Sequence, residues 1–302
     1  DGAPADLGAI ARMMERLQPR GPDHGGSYGD GAVALGHRRL SIIDLSARSN
    51  QPMVDQGLGL ALVFNGTIYN HPELRRELRD RGYSFFSDGD TEVILKAWHA
   101  WGEGCVERLH GMFAFAIWDT NRRQLFLARD RFGIKPLYWS EAIGRLRFAS
   151  TTQALVAAGG VSGGIDPVAL HNLFTLHAVV PAPRTILSDI RKLPPAHWLR
   201  IDADGRRTEQ RYWKLEATRG GSGSGLPTSD AEWVEAIHDA LEAAVRKRRD
   251  IADVPVGVLL SGGLDSSLLV ALLAEHGVGD LHTFSVGFED TPEEAGSEFE
   301  YS

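Results

Sequence analysis

The residues best able to bind an anion lie near the end of the sequence, in the run SGGLDSS at residues 261–267. The apolar residues 256–260 before it predict a buried strand, and leucines at helical spacing follow it up to Gly277. Adjacent glycines let the backbone approach a ligand, and the following helix directs its positive end at negative charge. The run lacks the lysine of the common P-loop and the G-x-G-x-x-G pattern. It therefore predicts a pyrophosphate-binding loop whose nucleotide chemistry differs from that of P-loop and G-x-G-x-x-G proteins. The alternative is a plain strand-to-helix turn.

The elements that position this loop begin with a helix. Ser229 and Glu232 have capping-box spacing, and apolar residues then repeat every four positions, at Trp233, Ile237, Leu241 and Val245. After the loop and its helix, alternation over 283–288 predicts a second strand parallel to the first. This region is therefore predicted to contain one crossover unit of an α/β domain.

The long region before it is richer in strands. The sequence predicts a helix from Leu7 to Leu17, extended runs at 32–35 and 58–64, and a hairpin from 111–118 and 124–129. Asn65-Gly66 is predicted as a turn after the second run. Two further helices are expected to end at Gly82 and Gly102.

A Gly/Ser stretch at 220–225 has the composition of a linker. At 302 residues the chain exceeds what one hydrophobic core usually organises. We therefore predict two domains, 1–215 and 229–302, joined by a linker at 216–228. The chain lacks an initiating Met and is expected to be part of a longer protein.

Bulk composition narrows the class of protein. The formal net charge of −8 gives no basic field for nucleic acid, and no apolar run reaches bilayer-spanning length. The only cysteine, Cys105, excludes an intrachain disulfide framework and suits a reducing compartment, so the cytoplasm is expected. The spacings of His37, His71, His99 and His110 match no metal-ligand motif, and we assign no zinc.

Five motifs occur in an order that resembles the glutaminase domain of asparagine synthetases. They are RGPD at 20–23, HRRLSIID at 37–44, FNGTIYN at 64–70, GDTE at 89–92 and RDRFGIKPLY at 129–138. SGGLDSS is similar to the loop of the second domain of the same family. The resemblance implies an α+β N-terminal-nucleophile domain, an αββα sandwich, followed by the start of an α/β pyrophosphate-loop ATPase domain of the adenine nucleotide hydrolase type.

The resemblance also implies a glutamine site. Arg39 would hold the α-carboxylate of glutamine and Asp90 its α-amino group, since a guanidinium recognises carboxylate and a carboxylate recognises ammonium. Asn65 and Gly66 match the positions that stabilise the oxyanion of the tetrahedral intermediate. The glutamine pocket is completed by Leu40, Ser41, Ile42, Ile43 and Thr67, although most members have Glu where this chain has Thr67.

For the second domain the resemblance implies ATP cleavage between the α and β phosphates. The ATP-binding residues would be Leu259, Ser261, Gly262, Gly263, Leu264, Asp265, Ser266, Ser267 and Val286. Asp265 would help to hold Mg²⁺. The expected cofactors are therefore ATP and magnesium.

The nucleophile of this family is an N-terminal cysteine activated by its own amine. The sequence begins with Asp1-Gly2, so we expect a short strand carrying that cysteine to precede it. Cys105, beside Val106 and Leu109, is predicted to be a buried core residue instead. A catalytically silent glutamine- or nucleotide-binding module is the alternative.

The family implies a ligase that releases ammonia from L-glutamine, delivers it through a channel and amidates an adenylated carboxylate. The acceptor is left open between aspartate and a short peptide. The stretch HAVVPAPR at 177–184 and the acidic residues 293–301 look similar to the N-acetylglutaminylglutamine amidotransferase branch. A homodimer is a further expectation from the family, and neither nucleic acid nor a membrane is expected as a partner.

Overall fold

The computed structural model describes residues 3–142, 144–217, 226–275 and 281–287. The chain divides into two compact units, residues 1–216 and 217–302. The predicted linker residues 220–225 and the acidic stretch 293–301 lie outside the described residues. Within the described part of the chain, no helix has both the length and the apolar character needed to cross a bilayer.

In the first unit, a large sheet forms the centre. It has six strands in the order β11-β10-β6-β5-β4-β3. Their bounds are β3 Met53–Asp55, β4 Leu60–Ile68, β5 Gly111–Asp119, β6 Gln124–Arg129, β10 His197–Ile201 and β11 Arg207–Arg211. The predicted hairpin is confirmed as β5 and β6, which pair antiparallel from Ala114↔Arg129 to Asp119↔Gln124.

Two smaller sheets also belong to this unit. One pairs β1 (His24–Asp30) with β2 (Val33–Arg39), and the other has the order β8-β7-β9. The bounds of the latter are β7 Tyr138–Ala142, β8 Arg145–Ala149 and β9 Ile190–Lys192. The sequence did not predict β1, because its run HGGSYGD is rich in residues that are uncommon in strands.

Helices cover the outer faces of the two sheet layers. The bounds are α1 Leu7–Leu17, α2 His71–Asp80, α3 Asp90–Trp101, α4 Cys105–Arg108, α5 Thr152–Ala158 and α6 Pro167–Thr175. One core lies between α2, α3 and α4 and the large sheet, and includes Trp98, Phe115 and Phe126. A second joins the large sheet to Leu35 of β2, and a third packs α1 and α5 against Ala149 and Ile190. The expected αββα layering is thereby confirmed.

The predicted turn at Asn65-Gly66 is wrong. Both residues lie inside β4, where Asn65 pairs with Ala114 and Gly66 with Phe113 of β5. The dipeptide favours a turn only where nothing else constrains it, and here a nine-residue ladder with β5 overrides the local preference.

The second unit is described as α7 (Asp230–Asp250), β12 (Gly257–Leu259), α8 (Leu264–Glu275) and β13 (His282–Phe284). The capping box is confirmed, since Ser229 Oγ accepts from Glu232 N and Glu232 accepts from Ser229 N. β12 and β13 pair in parallel, as predicted. The strand predicted to be buried is shorter than expected, and only Val258 of β12 is buried. Phe288 and Gly277, the predicted ends of β13 and α8, lie outside the described residues.

Candidate glutamine site and phosphate loop

One cleft of the first unit, of about 370 Å³, collects the predicted glutamine-site residues. Its lining includes Leu40, Ile42, Ile43, Asn65, Gly66, Thr67 and Asp90 together with Arg39. Ser41 is not part of the lining; its backbone N–H donates to Asp23 Oδ2 at 2.7 Å. That bond ties the loop after β2 to the RGPD motif.

Arg39, the last residue of β2, is buried beneath the loop of residues 40–50. Its Nη1 donates to Ser46 O and Asn50 Oδ1, and its Nη2 donates to Ile43 O and Asp44 O. These bonds use all four terminal N–H groups of the guanidinium. The fifth donor, Nε–H, has no acceptor among the described residues. A bidentate contact with a ligand carboxylate therefore requires a loop carbonyl to release its bond.

Asp44 fixes the same loop to the segment before α3. Its carboxylate accepts from the hydroxyls of Ser46 and Ser49 and from the backbone N–H of Asp88. Burial alone would raise the pKa of Asp44, but these hydrogen bonds outweigh it and hold the pKa far below its usual range. Asp44 therefore stays charged and orders the loop near Asp90.

Asp90 is the first residue of α3 and is buried. Its Oδ2 accepts from Ile68 N at 2.9 Å, which joins α3 to β4. Burial raises the pKa of Asp90 to about 6, although the Ile68 N–H and the positive charge of Arg39 act in the opposite direction. The carboxylate is thus ionised at neutral pH but costly to keep so.

Charge in this cleft is unevenly distributed. Among the described residues that line it, Asp90 is the only one with a carboxylate, while the cationic residues are Arg20, Arg38, Arg39, Lys135 and Arg147, the last of which is paired with Asp6. Burial, with Arg20 adding to it, lowers the pKa of Lys135. The cleft therefore offers both positive groups and one negative group, which suits a ligand with a carboxylate and an ammonium group.

Gly66 must be glycine for steric reasons. A Cβ added there would lie 2.1 Å from Met112 O and 2.7 Å from the ring of Phe64. Asn65 and Thr67 occupy alternate positions to Gly66 on β4, on the same face as Ala61 and Val63, which pack between the sheets. The Asn65 side chain therefore lies on the face of β4 that lines the cleft.

Cys105 does not reach this cleft. It is fully buried in the core beneath α3, and burial raises the pKa of its thiol. A thiol in that state is a poor nucleophile. The prediction that Cys105 is a core residue is confirmed.

In the second unit, the loop at 261–267 has the predicted strand–loop–helix setting. Ser266 Oγ closes the loop by donating to Gly263 O and accepting from Ser261 N, so this hydroxyl has an internal role. Gly262 has φ +75°, which favours glycine. The first N–H groups of α8 have no intrahelical partner and point toward the loop. Leu259, Leu264, Asp265 and Val286 are exposed beside it.

His238, Asp239 and Glu242 on α7 form the one group in the described part of the chain that is close enough to share a cation. His238 and Asp239 are exposed, Glu242 is half-buried, and all three belong to a single helix. Within the described residues, no further His, Cys, Asp or Glu joins this group.

Several residues that shape the cleft were not predicted. Gln51 and His37 contact the backbone of Phe64, and Asp44 orders the loop over Arg39. A signal for His37 was present: it alternates with Leu35 and Arg39 along β2, so all three share a face. Gln51 and Asp44 act through contacts that no local pattern encodes.

A family model described as "Glutamine amidotransferase domain" matches residues 3–213. The chain belongs to this glutamine amidotransferase family. A second model, "Asparagine synthase", matches residues 236–302.

Curated relatives of this family member include two proteins of Bacillus subtilis (strain 168). "Asparagine synthetase [glutamine-hydrolyzing] 3" is 36% identical over 92% of this chain and 45% of the relative. "Asparagine synthetase [glutamine-hydrolyzing] 1" is 39% identical over 93% and 43%. The chain thus spans about half the length of these relatives.

A more distant curated relative is "Amidase chyE" of Penicillium rubens, 34% identical over 88% of this chain and 38% of the relative. Among solved structures, glutamine phosphoribosylpyrophosphate amidotransferase from B. subtilis aligns with TM-score 0.51 and 19% identity. The alignment covers 96% of this chain and 65% of that one. This likeness shows the shared fold.

Proposed function

We propose that this chain forms part of an ATP-dependent, glutamine-hydrolysing amidotransferase of the asparagine-synthetase type. In this proposal the first unit releases ammonia from L-glutamine. The second unit contributes to adenylation of a carboxylate, which ammonia converts to an amide, and the products are the amide, glutamate, AMP and pyrophosphate. The family matches to both parts of the chain and the names of the relatives support this.

The observation that carries the proposal is the cleft, which brings Arg39, Asp90, Asn65 and Gly66 together. Ionised Asp90 accepts hydrogen bonds from the α-ammonium group of glutamine. Arg39 donates two hydrogen bonds to the α-carboxylate, one from Nε–H and one from a terminal N–H that releases its acceptor in the loop. The side-chain amide of Asn65 and the N–H of Gly66 donate to the γ-carbonyl oxygen as it gains negative charge.

We further propose that the nucleophilic cysteine reaches the cleft on a strand that precedes Asp1. The cleft is lined by residues 34–40 of β2 and its following loop and by residues 146–150 of β8 and its end, which belong to two separate sheets. A strand between these edges would join the two sheets. A run of about seven residues at about 3.3 Å each matches the length of β2.

The direction of such a strand is supported by a second, adjoining cavity of about 540 Å³. It shares Ala34, Leu146 and Phe148 with the first and extends to Ala3 and Asp6, where the described chain starts. A segment outside the described residues that ran along both cavities would place its first residue beside the proposed glutamine site. There the α-amine can activate the thiol of the same residue.

The loop at 261–267 fits a pyrophosphate group. Its glycines and the free N–H groups at the start of α8 suit the phosphates, and the exposed carboxylate of Asp265 suits Mg²⁺. Bound there, ATP would supply the adenylyl group and Mg²⁺ would offset phosphate charge. We propose Leu259, Ser261, Gly262, Gly263, Leu264, Asp265, Ser267 and Val286 as ligand-facing, with Ser266 mainly holding the loop.

The acceptor in this proposal is either aspartate or a short peptide such as N-acetylglutaminylglutamine. The test uses the full-length protein, with glutamine hydrolysis and ATP–pyrophosphate exchange measured for each acceptor. Acceptor-dependent exchange, with glutamine hydrolysis lost in Asp90→Asn and kept in the exposed control Asp88→Asn, is the expected result. Absence of both activities with every acceptor would favour the silent binding module.

A further inference from the structure

The two edges of β4 have different partners. Tyr69 N donates to His110 O and Thr120 N donates to Gly59 O, which brackets the ladder between β4 and β5. Odd-numbered residues of β4 therefore exchange hydrogen bonds with β5. The N–H and C=O groups of even-numbered residues, Gly66 among them, point to the opposite edge.

Among the described residues, a strand covers that opposite edge only at its start. β3 pairs with β4 no further than Met53↔Leu62. Beyond it, Phe64 N donates to Gln51 Oε1 at 2.6 Å and Ile68 N donates to Asp90 Oδ2 at 2.9 Å. Between these two side-chain contacts, the described residues provide no acceptor for Gly66 N–H, which lines the cleft.

The carbonyl of Phe64 has a partner of its own. His37 Nε2 lies 3.0 Å from Phe64 O, and because a carbonyl only accepts, Nε2 must carry the proton. His37 Nδ1 is buried with no partner among the described residues. Burial lowers the pKa of His37 to about 4, so the ring stays neutral and in one tautomer near neutral pH.

His37 thus connects β2 to β4, and Gln51 holds the other polar group of the same residue of β4. The peptide between Phe64 and Asn65 carries the carbonyl that His37 binds. Its orientation sets the direction of the Asn65 side chain and, one residue on, of Gly66 N–H. Donors must be fixed before reaction if they are to stabilise developing charge, and a misplacement of about 1 Å costs roughly a hundredfold in rate.

We infer that His37 and Gln51 are positioning residues that clamp Phe64 and thereby aim Asn65 and Gly66 at the oxyanion formed from glutamine. The inference rests on the proposed function and adds to it two residues that do not touch the substrate. Their effect is exerted on the tetrahedral intermediate and not on ground-state glutamine, whose charged ends are held by Arg39 and Asp90.

The experiment compares His37→Leu with His37→Gln in the full-length protein. Leucine removes the hydrogen bond to Phe64 O, whereas the Nε2 of glutamine can replace that of the imidazole. For His37→Leu we expect kcat of glutamine hydrolysis to fall about tenfold to a hundredfold with KM within about twofold. His37→Gln restores most of kcat, and His99→Leu, away from the cleft, matches the wild type.

A second readout separates positioning from general loss of structure. Glutamate γ-semialdehyde forms a tetrahedral adduct with a thiol, whereas glutamate resembles the ground state. His37→Leu and, independently, Gln51→Met should weaken inhibition by the aldehyde about tenfold or more and leave inhibition by glutamate nearly unchanged.

Equal weakening of both inhibitors, or an unchanged kcat in His37→Leu, would overturn the clamp while leaving the proposed function intact. A wild-type protein with an N-terminal cysteine that hydrolyses no glutamine would overturn the proposed function, and the role of the clamp with it.

Discussion

The proposed glutamine cleft and the proposed phosphate loop are built in different ways. In the cleft, Arg39, Asp90 and Gly66 come from three elements far apart in sequence. Contacts with other segments of the first unit hold each of them: loop carbonyls and Asn50 for Arg39, Ile68 N–H for Asp90, and the neighbouring strand for Gly66. The loop at 261–267 is local, exposed, and closed largely by its own backbone and Ser266. A site assembled over long range is specified by its packing, whereas a local loop is specified by its glycines.

The largest expected effect comes from Gly66→Ala. The added Cβ would overlap Met112 O, so β4 and β5 must shift and Gly66 N–H with them. We expect glutamine hydrolysis to fall by about a hundredfold to a thousandfold. Acceptor-dependent ATP–pyrophosphate exchange, which needs no ammonia, should persist. Gly104→Ala, where a Cβ meets nothing within 4 Å, is the matched control. If Gly66→Ala kept its activity, Gly66 would have no role in stabilising the oxyanion.

Asp90→Asn should lose glutamine hydrolysis but increase the free energy of unfolding at neutral pH. A folded pKa near 6 against the ordinary 3.8 means that ionised Asp90 costs about 3 kcal/mol of folding free energy at neutral pH. Since the native state keeps its proton longer, the stability of the wild type should fall between about pH 4 and pH 6 and level off above. The variant should lack this fall.

Urea titrations from pH 4 to pH 8 check this difference, with Asp88→Asn as the exposed control. Glutamine affinity of the wild type should decline below pH 6 as Asp90 is protonated. If the two proteins had parallel stability profiles, Asp90 would not be a costly charge, and the cleft would lose its main electrostatic contrast with the exposed loop.

Gly262→Ala tests the loop in the same way. Its φ of +75° makes alanine unfavourable by about 1–2 kcal/mol, so ATP–pyrophosphate exchange should fall roughly tenfold. Glutamine hydrolysis without acceptor should not change. A loss of both activities would show that the change is not confined to the loop.

The smallest expected effect is that of Ser229→Ala. It removes the capping box of α7 and should cost about 1 kcal/mol locally, which corresponds to about fivefold faster amide exchange in the first turn. Exchange mass spectrometry of that peptide measures it, and α3 in the first unit should be unaffected. Altered exchange at α3 would contradict the independence of the two regions.

The sequence predicts these two regions unequally well. The setting of the phosphate loop follows from local pattern, since strand, glycines and helix are consecutive, and β12, α8 and β13 confirm it. The members of the cleft came from motif resemblance. The resemblance did not predict their geometry. The predicted turn at Asn65-Gly66 was wrong, because the pairing with β5 is a long-range interaction that a dipeptide preference does not include.

The contacts of Arg39 also could not be predicted from the sequence. Its charge suggests a free guanidinium, whereas four acceptors of its own loop occupy the terminal N–H groups. Residues 43–50 fold over Arg39 because Asp44 ties them to Ser49 and Asp88. Such an arrangement depends on three-dimensional closure and leaves no periodic signal in sequence.

For the proposed reaction, the uneven charge of the cleft bears on the form in which the nitrogen of glutamine would leave it. Among the described residues that line this space, five are cationic, one of them Arg147 in its ion pair with Asp6, and one carries a carboxylate. Surrounding positive charge disfavours ammonium relative to neutral ammonia, because it lowers the pKa of any cation placed among them. For the proposed reaction, the cleft would therefore release nitrogen in the unprotonated form that can attack a carbonyl, and would retain the anionic glutamate longer than the ammonia.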